Sequence, residues 1–420
     1  MRSEEVKFSM SIKRILLFIL AAVMLVSVTA CGKKPEDTEE PETPTEETET
    51  VADPEVVPEP VEEPAEEPKY KPYQFDESKF VEYNGTVEHF FFHQIVAWPE
   101  MAFDGDSYEK GIDDWMCTAD EFVKIMDELY AKGYILVDIR DVWSEYEDSQ
   151  GNPFMMRNTL RIPEGRIPFV MSYDDISVYE YMPANGFMER LIIGEDGELW
   201  CTGTGPDGKQ VTAQGLDIVT LTDKYIKEHP DFSLNGAKAC LSLTGYAGIL
   251  GYDTYQDSRG TAYYDVDHRA AEIEAVKPII EKLKETGWYF GSHTWGHIRL
   301  DKRTVEQVKA DTERWFQDVG ACVGETPILF YPHGARPDGK DVDQTGPVFK
   351  YLHSKGFRYF FSVGTNSFSK VKTDISAVVG DRLHPDGTTL RWARKTYLPF
   401  YDAKDIYDDR RPDYGNSWDK

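Results

Sequence analysis

The chain repeats short apolar runs separated by stretches with helical periodicity. Val87–His93, 134–139, 167–173, 237–244, 288–290, 327–331 and 357–363 are apolar, several of them rich in β-branched and aromatic residues. Each is bounded by polar or turn residues, the pattern of a buried strand. Between them lie helix signals. Thr118 with Glu121 three residues on reads as a capping box. Phe122, Ile125, Met126 and Leu129 then share one face, and Gly133 stops the run. Further helices are predicted over about 216–227, over 268–285 with Asp267 as cap, from Thr304 with Val305, Val308, Trp315 and Phe316 inward, and over about 346–355. Residues 389–392 are predicted as a last strand, and 94–114 and 140–166 as loops. The polar, Gly-rich segment 195–214, with a hairpin turn at Glu195-Asp196-Gly197-Glu198, reads as an excursion from the main fold. Alternation of this kind predicts parallel β/α units.

Polar groups punctuate the strand ends. His93, the pair Asp174-Asp175, His293, His297 and His333 all fall at or just past the C-terminal end of a predicted strand. In a β/α barrel that face carries the active site. His293 and His297, four apart, would share one face if the chain turns helical after its strand. Two imidazoles and a carboxylate on neighbouring strand ends make a three-ligand metal site with positions left for water and substrate.

Charge narrows the partners. With 46 Lys and Arg against 75 Asp and Glu, the net charge of −29 argues against nucleic acid, whose phosphates need basic partners. Lys13 and Arg14 precede an apolar run from Ile15 to about Val28, short for a spanning helix and followed by Thr29-Ala30-Cys31-Gly32. Residues 1–30 therefore read as a lipoprotein signal peptide, with translation starting at Met1 or Met10 and Cys31 as the lipidated residue. An uncleaved signal anchor is the competing reading. From 33 to about 68 the chain is almost wholly Glu, Pro, Thr and Val, too polar to fold. The reading is thus a disordered linker over 31–82 and a catalytic domain over 83–420 with an insertion around 186–215. The domain is expected to be a monomer outside the cytoplasm, held to the membrane by lipid alone. Cys117, Cys201, Cys240 and Cys322 show no metal or disulfide spacing.

The order of motifs resembles the NodB-like polysaccharide deacetylases, carbohydrate esterase family 4. Ser172-Tyr173-Asp174-Asp175-Ile176 is similar to that family's Thr-Phe-Asp-Asp-Gly, with Ile176 at the glycine. His293-Thr294-Trp295-Gly296-His297 matches His-Ser/Thr-x-x-His in full. Phe330-Tyr331-Pro332-His333-Gly334 is similar to Arg-x-Pro-Tyr-Gly, with Phe330 where arginine often stands. The likeness runs from about His93 to Val363 and implies a distorted β/α barrel of about seven strands.

The resemblance further implies one divalent ion on Asp175, His293 and His297, zinc first and other transition metals open. Asp174 would be the general base, and the backbone amide of His333 would help hold an oxyanion. The family's late histidine as general acid falls on His384, where an exposed loop histidine is the competing reading. His93 is a second strand-end candidate, for acid or for substrate orientation. Arg382 would hold Asp174 by a charge-assisted bond, against the plainer reading of a surface ion pair. Tyr331 and Trp392 are the aromatic candidates for a glycan cleft. The implied activity is hydrolysis of N-acetyl groups on cell-surface or exopolymeric polysaccharide, of peptidoglycan or poly-N-acetylglucosamine type. The alternatives are a non-catalytic glycan-binding lipoprotein on the same fold and a solute-binding lipoprotein. The second leaves the polar strand ends unexplained.

Overall fold

Seven parallel strands organise the chain in the computed structural model, which describes residues 70–255, 266–337, 346–373 and 375–418. They are β1 (Glu88–Phe92), β2 (Ile167–Asp174), β3 (Cys240–Leu243), β4 (Tyr289–Ser292), β5 (Ile328–Phe330), β6 (Tyr359–Val363) and β7 (Ala377–Arg382). Among these seven each pairs with the next, so spatial order follows chain order; an eighth parallel strand, Tyr134–Leu136, pairs with the first residues of β2. The last meets the first at a parallel bridge between Phe90 and Leu383. There the Phe91 amide donates to Leu383 (2.8 Å) and the Leu383 amide to His89 (2.9 Å). The sheet thus curls into a nearly closed α/β barrel.

Seven longer or functionally placed helices are α1 (Glu109–Trp115), α2 (Ala119–Ala131), α3 (Ile218–Glu228), α4 (Val266–Glu285), α5 (Val305–Trp315), α6 (Pro347–Ser354) and α7 (Gly387–Trp392). The capping box at α2 is present: Glu121 N–H donates to the Thr118 hydroxyl and Glu121's carboxylate receives the Thr118 amide. Thr304 and Gln307 form another at α5. Asp217 caps α3. Asp267 lies inside α4, whose described part begins at Val266. Phe122, Ile125, Met126 and Leu129 are buried against Phe90, Phe92 and Phe169. Each such side chain contributes about 1.5–3 kcal/mol by leaving water.

Several expectations are corrected. Residues 389–392 are not a strand but belong to α7, because Asp386 accepts the Thr389 amide (2.6 Å) and starts a helix. Two strands had gone unread, Phe368–Lys372 and β7, which pair antiparallel as a hairpin. The loop 94–114 contains α1 and a turn of helix at Pro99–Ala102. A hairpin of Trp143–Glu147 with Pro153–Arg157 fills the next long connection. The excursion is a three-stranded antiparallel sheet: Arg190–Ile193, Leu199–Thr204 and Gln210–Ala213. Regular structure begins upstream of Tyr83, since Phe80–Glu82 pairs with Arg161–Pro163. The signal peptide, Cys31 and most of the linker lie outside the described residues. Cys117, Cys201, Cys240 and Cys322 are free thiols, all but Cys322 buried.

Candidate active site

The two aspartates reach one pocket because the strand ends between them. Neighbours on a straight strand point to opposite faces. Asp174 is the last residue of β2, and Asp175 turns left-handed at φ 55°. A non-glycine residue held there costs about 1–2 kcal/mol. Ile176 is buried and not left-handed, and its carbonyl accepts the Leu250 amide (3.1 Å). The position without its family glycine therefore needs none; Asp175 makes the turn.

His293 and His297 converge without a helix. Thr294 and His297 take left-handed φ of 60° and 49°, wrapping the loop past β4 into a tight curl. The amides of Trp295 and Gly296 donate to the two oxygens of Asp311 on α5, both at 2.8 Å, and so pin the curl. The expected shared helical face is corrected to this loop; the convergence of the rings remains. The ligand atoms of Asp175, His293 and His297 lie within 4.8 Å of one another. His293 Nδ1–H donates to the Phe330 carbonyl (3.1 Å), which leaves Nε2 bare toward the pocket. Tyr179 donates its hydroxyl to Asp175 Oδ1 (3.0 Å), and Oδ2 faces His297 Nε2 at 3.5 Å. Burial drives the His297 imidazole down to about 4, into the neutral form a metal ligand requires. A two-nitrogen, one-oxygen donor set of this kind fits zinc or another borderline transition metal. Asp253, His268 and Glu272 also lie within the same distance of one another. There, however, the Glu272 carboxylate already receives Arg190 (2.7 Å) and the Asp253 amide (3.0 Å).

Asp174 is held from the barrel interior. Arg382, fully buried at the end of β7, donates through Nη1 to Oδ1 and through Nη2 to Oδ2, both at 2.7 Å. Its guanidinium lies over the rings of Phe91 (4.1 Å) and Phe330 (4.3 Å). Phe330, standing where the family often carries arginine, thus supports an arginine delivered from another strand. Burial pushes the Asp174 carboxyl upward, but Arg382's charge and the nearby His293 outweigh it and hold it well below the usual range. Asp174 Oδ2 sits 3.8 Å from His293 Nε2.

His384 is not an exposed loop residue. It is buried, stacked on Phe91 at 4.1 Å, and its Nδ1–H donates to Asp386 Oδ2 at 2.9 Å. Nε2 is buried without a hydrogen-bond partner on the cleft wall. His93 lies edge-on to it at 4.7 Å, donates from Nδ1 to the Trp115 carbonyl (3.2 Å), and presents Nε2 3.9 Å from Asp175 Oδ2. Burial, with His384 adding to it, brings His93 down to about 4. His333, left-handed at φ 57°, places its ring 4.3 Å from that of His297. Tyr331 touches the cleft wall, but its ring is buried against Phe360. Trp392 does not join them: it is 49 % exposed on α7 and outside the cleft lining. Sequence reasoning places Tyr179 only among the aromatics near the site, without its bond to Asp175, and misses Asp386. Their only local signals were a tyrosine four residues after Asp175 and an aspartate two after His384.

These groups line one cleft of about 1460 Å³. No curated protein matches the chain. Among solved structures it is similar to the Streptococcus pyogenes deacetylase PplD in complex with acetate, at 11% identity, covering 73% of this chain and 94% of that one with TM-score 0.38. It is also similar to a polysaccharide deacetylase from Bacillus cereus, at 13% identity, covering 75% and 69% with TM-score 0.37. The family model described as polysaccharide deacetylase matches residues 257–358. That segment holds His293, His297 and His333; the aspartate pair and His384 lie outside it in sequence and meet it in space. The match to the polysaccharide deacetylase family model is thus carried by this segment of the chain.

Proposed function

We propose that the protein removes N-acetyl groups from cell-surface or exopolymeric polysaccharide, with Asp174 as base and His384 as acid beside one metal ion on Asp175, His293 and His297. The observation that carries this is the pairing of two differently held groups in one cleft: a carboxylate fixed ionised by Arg382, and an imidazole whose only bonded nitrogen faces Asp386. An acetamide is a stable bond whose hydrolysis needs an activated water, a stabilised oxyanion and a proton for the leaving amine. A bound divalent ion, zinc foremost, supplies Lewis acidity toward the acetyl carbonyl and acidifies water.

The chain's own residues do the rest. Asp174 accepts the water's proton at Oδ2, the oxygen nearer the His293 ring. Arg382 keeps that carboxylate oriented and charged, so no reorganisation is needed when the proton moves. The backbone amide of His333, a residue of the cleft lining, is the oxyanion donor in this reading. His384 gives its proton from Nε2 to the departing nitrogen, and Asp386 stabilises the imidazolium that does so. Tyr179 and Phe91 narrow the water around the reacting group.

Acetate release from an acetylated glucosamine oligomer tests the reading. It should vanish in Asp174→Asn while the metal stays bound. Glycan binding by wild type with no acetate from several such substrates would sink it. The membrane tether belongs to the same proposal: Cys31 as the lipidated residue holds the domain on the outer membrane face. Among the described residues no helix is long and apolar enough to cross a membrane. Fatty-acid labelling of the protein in cells, lost in Cys31→Ala, checks the anchor.

A further inference from the structure

One buried imidazole touches none of the reacting groups. His89, on β1, is 3 % exposed, and its Nδ1 is buried without a hydrogen-bond partner. Its backbone sits on the seam where the barrel closes. The amide donates to the Ser367 hydroxyl (2.7 Å), and the carbonyl receives the Leu383 amide (2.9 Å). The ring stands edge-on to Phe361 (4.8 Å) and Phe330 (6.0 Å). Burial, with the charge of Arg382 added to it, holds the imidazole neutral, well below its usual range. A polar side chain so placed is costly unless it is bonded, so its partner is informative.

That partner is Ser172. His89 Nε2 and the Ser172 hydroxyl lie 2.9 Å apart, and the same hydroxyl receives Arg382 Nη1 (2.9 Å). Ser172 and Asp174, two apart on β2, share one face of the strand. Arg382 Nη1 therefore bonds both Ser172 and Asp174 Oδ1, while Nε donates to the Ser362 carbonyl (3.3 Å). Four side chains form a line from the seam to the carboxylate: His89, Ser172, Arg382 and Asp174.

Hydrogen counting fixes the direction of the first link. A guanidinium only donates, so the Ser172 oxygen accepts from Arg382. Among the described residues that hydroxyl bonds only to these two groups. Were His89 also to donate, from Nε2–H, the Ser172 proton and the Nδ1 lone pair would both be buried unpaired. With Ser172 donating to Nε2, the ring carries its proton on Nδ1, and that N–H alone goes unsatisfied. Unmade bonds of buried polar groups are costly, so the second arrangement prevails.

We propose that His89 is a positioning residue for the base: its Nε2 accepts the Ser172 proton, which turns the hydroxyl lone pair to Arg382 and so sets the plane of the guanidinium that holds Asp174. The role rests on the reading of Asp174 as base. With no acceptor at position 89 the hydroxyl rotates, Arg382 loses the bond to Ser172, and the carboxylate plane loosens.

Two measurements on the full chain test it. NMR of protein carrying isotope-labelled histidine, with the His89 signals assigned by their loss in His89→Gln, should show a neutral ring protonated at Nδ1. A proton on Nε2, or a charged ring at neutral pH, would overturn the proposal whether or not the protein is an enzyme. Acetate release is the second. His89→Leu should lower kcat about tenfold, short of the ~10²-fold that a full ångström of misplacement costs, with KM and metal content unchanged. His89→Gln, whose side-chain carbonyl can accept the Ser172 proton, should recover most of the loss. Ser172→Ala should show the same loss by itself, so the test survives a His89→Leu variant that does not fold. Residues acting through one another are not additive, so His89→Leu added to Ser172→Ala should lower kcat little further. Equal losses in His89→Leu and His89→Gln, or the full loss repeated on top of Ser172→Ala, would make His89 a packing residue and overturn the role. If the wild type releases no acetate, the reading of Asp174 as base falls, and the proton position at His89 alone decides whether Ser172 is turned toward Arg382.

Discussion

Arg382 grips Asp174 through two parallel hydrogen bonds of 2.7 Å, across strands that are not neighbours in the barrel. A guanidinium fork fixes both the charge and the plane of a carboxylate; an ammonium fixes only the charge. Arg382→Lys should therefore keep Asp174 ionised but let it rotate. Misplacing a catalytic group by an ångström costs about 10²-fold, and a kcat loss of that order is expected with metal content unchanged. Steady-state acetate release and metal analysis on the same preparation check it. A variant with near-native kcat would show that the fork is dispensable.

The two oxygens of Asp386 do different work. Oδ1 accepts the Thr389 amide and starts α7; Oδ2 accepts His384 Nδ1–H. Asn is as good a cap as Asp, so Asp386→Asn should fold normally while losing the charge behind His384. General acid catalysis contributes about 10²–10⁴-fold. Deacetylation of an amide, whose amine must be protonated to leave, should slow by 10-fold or more in Asp386→Asn, on the order of part of that contribution. Hydrolysis of p-nitrophenyl acetate, whose leaving group needs no proton, should change little. Equal losses on amide and ester would mean that Asp386 shapes the cleft rather than the acid.

Tyr179 leaves Asp175 one free oxygen. Its hydroxyl occupies Oδ1, so Oδ2 is the atom turned to His297. Removing an outer partner of a ligand typically lowers metal affinity about 10–100-fold. Tyr179→Phe should weaken zinc binding by that order in a competitive chelator titration, with the ring stack on Tyr246 (5.4 Å) retained. Unchanged affinity would show that the carboxylate is oriented without it.

What could be read in advance follows the sequence distance over which each feature is decided. The capping box at Thr118 and the helix start at Thr304 are settled within four residues and were legible. So was the His293–His297 pair, although its convergence comes from left-handed turns at Thr294 and His297 and not from a helix. The strand ends were legible because apolar runs stop at polar residues there. Arg382 was legible only as one of two readings, a bond to Asp174 or a surface ion pair, because the choice depends on a partner 208 residues away. By itself, an arginine after a weakly apolar run reads as surface. The run 377–382 was overlooked for a related reason: its strand is fixed by pairing with β6 and with Phe368–Lys372. Residues 389–392 misled in the opposite sense, since threonine and tryptophan favour strands while the cap at Asp386 decides for helix.

Arg411 shows how the C-terminal segment supports the cleft. Its side chain is fully buried, and its guanidinium donates to both oxygens of Glu121 on α2 (2.7 and 2.6 Å), to Asp113 on α1 (3.1 Å) and to the Met116 carbonyl. Removing one member of such a network strands the others as unpaired buried charges, at about 3–5 kcal/mol. Arg411→Met should lower unfolding free energy by that order in denaturant titration. Its second effect is local. With the Met116 and Asp113 contacts gone, the backbone around Trp115 should loosen before the barrel does, and amide hydrogen exchange over 109–117 should rise more than over β2 or β4. A uniform rise across the chain would make Arg411 a global staple with no particular hold on that edge of the cleft.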